Sequence, residues 1–147
     1  MHRLSRRAAR EKCVKILYQI DISNNSVDES MKSVFECDGD VDEGSEQAGF
    51  LRELVTGVLE NLEAIDAEIK EYTHKWSPDR LGRMEKAILR LAVYEIVHRP
   101  DIPVAATINE AVELSKEYAS DESARFVNGV LAGIAGKHGE SRGKHGD

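Results

Sequence analysis

Apolar residues recur along most of the chain at steps of three and four, the spacing of one face of an α-helix. Ala9, Cys13, Ile16, Leu17 and Ile20 make the first such face, and Ser5 is placed to cap a helix running to about residue 22. Ser26 and Glu29 stand at capping-box spacing around Val27, Met31, Val34 and Phe35, which predicts a short amphipathic helix. From residue 45 to 76 the pattern is strongly helical: Leu51, Val55, Val58, Leu62, Ile65, Ile69, Tyr72 and Trp76 alternate steps of four and three. The spacing would suit a coiled-coil strand, but Gly57 and the short span favour bundle packing. A break is expected within residues 61–66, with Asp66 as a second N-cap.

Ser77-Pro78 reads as a helix start, followed by a turn to Gly82. Residues 84–98 carry Ile88, Leu89, Leu91, Ala92, Val93, Ile96 and Val97 around most of a helix circumference, which predicts the central buried helix. Arg99-Pro100 ends it. The next helix has two readings: a start at 104, after Pro103, or a start at 108, because Thr107 and Glu110 match capping-box spacing. Ile108, Ala111, Val112 and Tyr118 form its face. Asp121 is expected to cap a last helix with Val127, Val130, Leu131 and Ile134 on one side, ended by Gly136. Residues 137–147 hold no apolar side chain and are expected to be a disordered tail. Six or seven helices, no strand and no fixed-period repeat define an all-α chain.

Composition agrees. A chain of 147 residues can bury a core without staples, and 41% hydrophobic content with 3 Pro excludes a disordered protein. No run approaches the ~20 apolar residues that cross a bilayer. The basic start is not followed by an apolar run, so no signal peptide and no membrane attachment are expected. Cys13 and Cys37 offer neither a disulfide framework nor a zinc site, which points to a reducing, cytoplasmic setting.

Charge adds more. The chain carries net −7, yet residues 1–15 hold six cations against Glu11, so the remainder is markedly acidic. Asp28, Glu29, Glu36, Asp38, Asp40, Asp42, Glu43 and Glu46 face only Lys32 in the segment 24–49. A basic arm on an acidic body suggests a polyanionic partner for the arm. Arg3, Arg6, Arg7 and Arg10 form a stripe whose centre lies about 80° round the helix from the apolar one, beside the packed face. Guanidinium groups hold phosphates in bidentate fashion and stack on bases, so the stripe suits single-stranded or looped RNA. A transit peptide is the other reading of such a stripe, but here it merges into a core helix.

No catalytic constellation can be assembled: no phosphate-cradling glycine loop, no His-Glu-x-x-His and no Gly-x-Ser-x-Gly is present. The expectation is a protein that is not an enzyme and uses no cofactor or metal. Glu85, Glu95 and Glu110 are read as solvent-facing or ion-paired, and His74 and His98 as surface or helix-end residues. His2, His138 and His145 fall in the expected disordered ends. The segment 37–44, CDGDVDEG, lacks the register of a calcium loop. Asn109 and Asn128 are polar residues in apolar helices, explained as well by a cap or interhelical hydrogen bond as by RNA contact.

The segments RRAAREKCVKILYQIDIS, ELVTGVLENLEAID, MEKAILRLAVYEI, VAATINEAVELSKEY and SARFVNGVLAGIA, in order from about residue 5 to 135, resemble the NusB family of transcription antitermination factors. INEAVELSK and FVNGVL are its most specific parts. The resemblance implies a compact all-α bundle of about seven helices in two packed subdomains, spanning 1–136. It implies binding, with ribosomal protein NusE, to boxA of nascent ribosomal RNA transcripts, within the RNA polymerase antitermination complex. It implies RNA contacts for Arg6, Arg7, Arg10, Tyr72 and Phe126, and a NusE-facing role for Glu85 and Arg90. From the residues alone, Phe126 and Tyr18 read equally as core. Similar domains open RNA cytosine methyltransferases, but the chain is too short for their cofactor-binding domain, so the stand-alone factor is expected. Relatives occur as monomers and homodimers, and both remain open. A protein-binding scaffold, its arginines against an acidic protein surface, is the competing function class.

Overall fold

The structure, a computed structural model, describes residues 6–38, 46–73 and 81–146, with side chains over 7–33, 48–73 and 81–138. Among the described residues there are seven helices and no strand: α1 (Arg6–Ser23), α2 (Val27–Asp38), α3 (Glu46–Glu60), α4 (Leu62–Thr73), α5 (Arg83–His98), α6 (Val104–Tyr118) and α7 (Asp121–Gly146). The chain divides into two compact units, Met1–Glu60 and Asn61–Asp147.

In the first unit α1 packs on both α2 and α3. Its apolar face buries Ala9, Cys13, Ile16 and Leu17, while Ile20 remains partly exposed. α3 buries Leu51, Leu54, Val55 and Val58. Asn24, at φ +59°, turns the chain left-handed after α1 while its N–H still bonds the Ile20 carbonyl at 3.1 Å. Asparagine tolerates this conformation, which stops the helix. Ser26 caps α2 as its spacing predicts, its Oγ accepting the Glu29 N–H at 3.1 Å.

In the second unit α5 is the spine, buried without interruption from Ala87 to Ile96. It packs on α4, α6 and α7, and α6 lies along α7. The helix break falls at Asn61. Asp66 is not an N-cap, because α4 starts at Leu62 and leaves Asp66 inside the helix. α6 starts at Val104, so Thr107 lies within the helix and its hydroxyl goes elsewhere. Ser120, rather than Asp121, caps α7: its Oγ accepts the Ser123 N–H at 3.0 Å. α7 continues past Gly136 to Gly146, and the first residues of the expected disordered tail, Lys137 and His138, are bonded to α4. The acidic segment 39–44, the start at Ser77-Pro78, His74 and Trp76 lie outside the described residues.

Candidate functional site

α1 presents the cations in two different environments. Arg7 is exposed, whereas Arg10 is only 7% exposed and Lys12 only 5%. Arg3 lies outside the described residues, as does the side chain of Arg6. The expectation of a stripe wholly beside the packed face therefore holds for Arg7 and fails for Arg10. At ~100° per residue Arg10 sits about 20° round the helix from Leu17. Packing on two neighbouring helices widens the buried arc to take in Val14 as well. Arg10 brings a guanidinium to the edge of a core, where its orientation is set by its surroundings; Arg7 stands at an exposed position.

Tyr72, half-buried on α4, lies across Gly133 of α7: a methyl at Gly133 would stand 2.6 Å from Tyr72 Cδ1. Only a residue without Cβ lets the ring approach this closely. Phe126 is on the same face of α7 as Gly133, two turns and ~10 Å back along the helix. It is 7% exposed, so most of the ring is core. The two aromatics thus lie on one side of α7.

Glu85 and Arg90 are both engaged within the unit. Glu85, 5% exposed, reaches back over the first turn of α5 and accepts the Gly82 N–H at 2.9 Å. This is the glutamate half of a capping box; Gly82 has no side chain to return the bond. Arg90 forms a fork on Asp66, Nε to Oδ1 at 2.9 Å and a terminal nitrogen to Oδ2 at 2.8 Å, and ties α5 to α4. The side chains are 10% and 39% exposed.

Of the carboxylates read as solvent-facing or ion-paired, Glu95 is not solvent-facing. Glu95 is 1% exposed and accepts the Thr107 hydroxyl at 3.0 Å across α5 and α6. His98 is exposed and stacks on Tyr94, ring centroids 5.3 Å apart. His138 Nε2 lies 2.8 Å from Glu68 Oε1, and Lys137 is 3.4 Å from both Glu68 and Glu71. The Glu68 hydrogen bond, then the Glu68 charge, hold the Lys137 ammonium above its ordinary 10.5; desolvation opposes them, ahead of the lesser help from Glu71. Among the described residues no group of three His, Cys, Asp or Glu side chains could hold a metal ion.

An open groove of about 780 Å³ runs between α6 and α7. Asn109 and Asn128 line it, are exposed, and their side chains make no hydrogen bond among the described residues; neither is a cap or an interhelical tie. Their place in otherwise apolar helices was the available signal, but the groove itself depends on how the two helices meet.

Comparison with known proteins decides the family. Residues 7–136 match the NusB family. The chain belongs to it. Transcription antitermination protein NusB of Bacillus licheniformis is 45% identical over 131 residues, covering 89% of this chain and 96% of that protein. Its counterpart in Acetivibrio thermocellus is 40% identical, over 89% and 88%. NusB of T. maritima superposes with a TM-score of 0.81 at 34% identity, covering 93% and 94%. A crystal structure of antitermination factors NusB and NusE in complex with dsRNA gives 0.80 at 30% identity, covering 90% and 96%. The all-α architecture is that of these NusB structures. Membership accounts for the order of the matched segments, including VAATINEAVELSKEY on α6 and SARFVNGVLAGIA on α7. Among the described residues of this NusB chain, no helix is long and apolar enough to cross a membrane.

Proposed function

We propose that this chain is an RNA-binding antitermination factor that acts with NusE on boxA of nascent ribosomal RNA, supporting ribosomal RNA biogenesis within the RNA polymerase antitermination complex. Its work is binding rather than catalysis, and its compartment is the cytoplasm. One observation carries the reading: the chain shares fold and 30% identity, over nine-tenths of its length, with a protein crystallised with NusE and RNA.

The residues support a division of labour. Arg6, Arg7 and Arg10 at the start of α1 hold phosphates; Arg7 does so from the surface, and Arg10 as a guanidinium fixed at the core edge. Tyr72 offers a ring to a base, and Phe126 forms the packed wall on the same side of α7. Glu85 and Arg90 are positioning residues for the NusE surface: Glu85 fixes the N-terminus of α5, and Arg90 fixes α4 against α5.

The test is anisotropy of labelled boxA RNA titrated with the chain, with and without NusE, at two salt concentrations. Affinity should rise with NusE and fall with salt, by a slope of about 0.7 in log K per phosphate contact on a single strand. Equal affinities with and without NusE would remove the adaptor role. Binding to NusE with no RNA binding would leave the protein scaffold as the correct class.

A further inference from the structure

The α6–α7 groove has an apolar floor and a polar rim. Ile108, Val112 and Ala124 supply floor; Asn109 and Lys116 on α6, and Arg125 and Asn128 on α7, stand exposed at its edges. The side chain of Arg125, like those of the two asparagines, has no hydrogen bond or ion pair among the described residues. Lys116 has only a 3.7 Å pair with Glu113, with both side chains well exposed. In a chain of net −7, an arginine left without an acid is a cation held for something else. Exposed amides that bond nothing in their own fold offer a donor and an acceptor each, the pairing a peptide main chain requires.

Two features favour a peptide over a nucleic acid. Among the described residues no aromatic ring lines the groove, whereas single-stranded RNA is held by stacking its bases on such rings. The groove face of α7 also lies roughly 140° round the helix from the face of Gly133 and Phe126. It is therefore separate from the α7 face that carries Phe126. Lys116 and Arg125 lie near the α6–α7 turn, beside the positive end of the α7 dipole, a place that favours carboxylates. Asp121 lines the same end and disfavours a continuous run of phosphates.

We infer that the α6–α7 groove docks an extended acidic segment of a protein partner, its main chain held by Asn109 and Asn128 and its carboxylates by Arg125 and Lys116. The groove is a second docking surface of the adaptor, apart from the Phe126 face of α7; the inference rests on the adaptor reading above.

Display selection of random eight-residue peptides on the intact chain, counter-selected on Arg125→Glu, supplies the probe. The selected peptides should be rich in Asp and Glu. Their affinity should fall at least tenfold in Arg125→Glu and in Asn109→Ala/Asn128→Ala, while the melting temperature and boxA affinity stay unchanged. Arg125→Gln, a milder change, should weaken them in the same direction. In ¹⁵N spectra the side-chain amides of Asn109 and Asn128 should shift with peptide and stay still with an eight-nucleotide uridine RNA. Failure to select any groove-dependent peptide, selection without acidic enrichment, or shifts of these amides by the RNA would overturn the inference.

Discussion

The ring of Tyr72 occupies the space a side chain would take at Gly133, with Cδ1 only 2.6 Å from a methyl placed there. Helix propensity alone would make Gly133→Ala stabilising by about 0.5–1 kcal/mol. The clash reverses the sign, because the near atoms belong to a stiff ring. Overpacking of this kind costs about 1–3 kcal/mol. We expect Gly133→Ala to lower the urea midpoint, and the same change in a Tyr72→Ala background to raise it. Additive effects in that double-mutant cycle would show that the ring does not rest on the glycine.

Arg7 and Arg10 should separate stability from RNA binding. Arg7→Ala, at an exposed position, should weaken boxA binding while stability shifts by less than about 0.5 kcal/mol. Arg10→Ala should lower both the RNA affinity and the melting temperature, because a buried side chain loses packing as well as charge. The paired measurements are anisotropy and a thermal melt on each variant. An unaltered melt for Arg10→Ala would contradict its placement at the core edge.

The Arg90–Asp66 fork should resist conservative exchange. Asp66→Ala leaves a guanidinium that is 10% exposed without this acceptor pair. Partial exposure of Asp66 moderates the loss, so about 1–3 kcal/mol is expected by denaturant titration. Arg90→Lys keeps the charge but cannot form both bonds, and should also destabilise. If NusE binding depends on how α4 is tied to α5, both variants should weaken it as well.

Leu91, 3% exposed in the middle of α5, should not tolerate a carboxylate. Burying an unpaired charge costs several kcal/mol, a large share of the ~5–15 kcal/mol that holds a domain. Leu91→Asp is expected to lose its cooperative melt by circular dichroism. A folded, cooperatively melting variant would displace α5 from the centre of its unit.

The attachment of α7 to α4 should weaken in alkali. The raised pKa of Lys137 means its bridge to Glu68 and Glu71 is fully present below 10.5 and is lost as pH rises through the folded value. The difference in melting temperature between the wild type and Lys137→Ala should therefore shrink from pH 8 to above 10.5. A difference that grows with pH would reverse the assigned linkage.

Helix positions were legible in the sequence where periodicity and local caps agreed. α5 announced itself because apolar residues surround it, and Ser26 because its partner is three residues away. The NusB resemblance was equally plain, since five segments recur in order between about residues 5 and 135. What escaped were contacts made across helices. Glu95 reads locally as solvent-facing or ion-paired; its buried bond from Thr107 depends on the start of α6 at Val104. Asp66 reads as a cap because nothing local reveals that its carboxylate accepts from Arg90. The arginine stripe was visible, but the width of the buried arc on α1 depends on two neighbours, and this decided that Arg10 turns inward while Arg7 does not.

The two-residue connection between Tyr118 and Asp121 bears on how the chain reaches its fold. Closing so short a loop costs little chain entropy, and the contacts it brings together are near neighbours in sequence. The α6–α7 hairpin is thus suited to form early and to act as a template on which α5 and α4 settle. On this view Ser120 is a kinetic as well as a structural residue. Ser120→Ala should slow refolding along with lowering stability, and the groove between the two helices is set as soon as the hairpin closes.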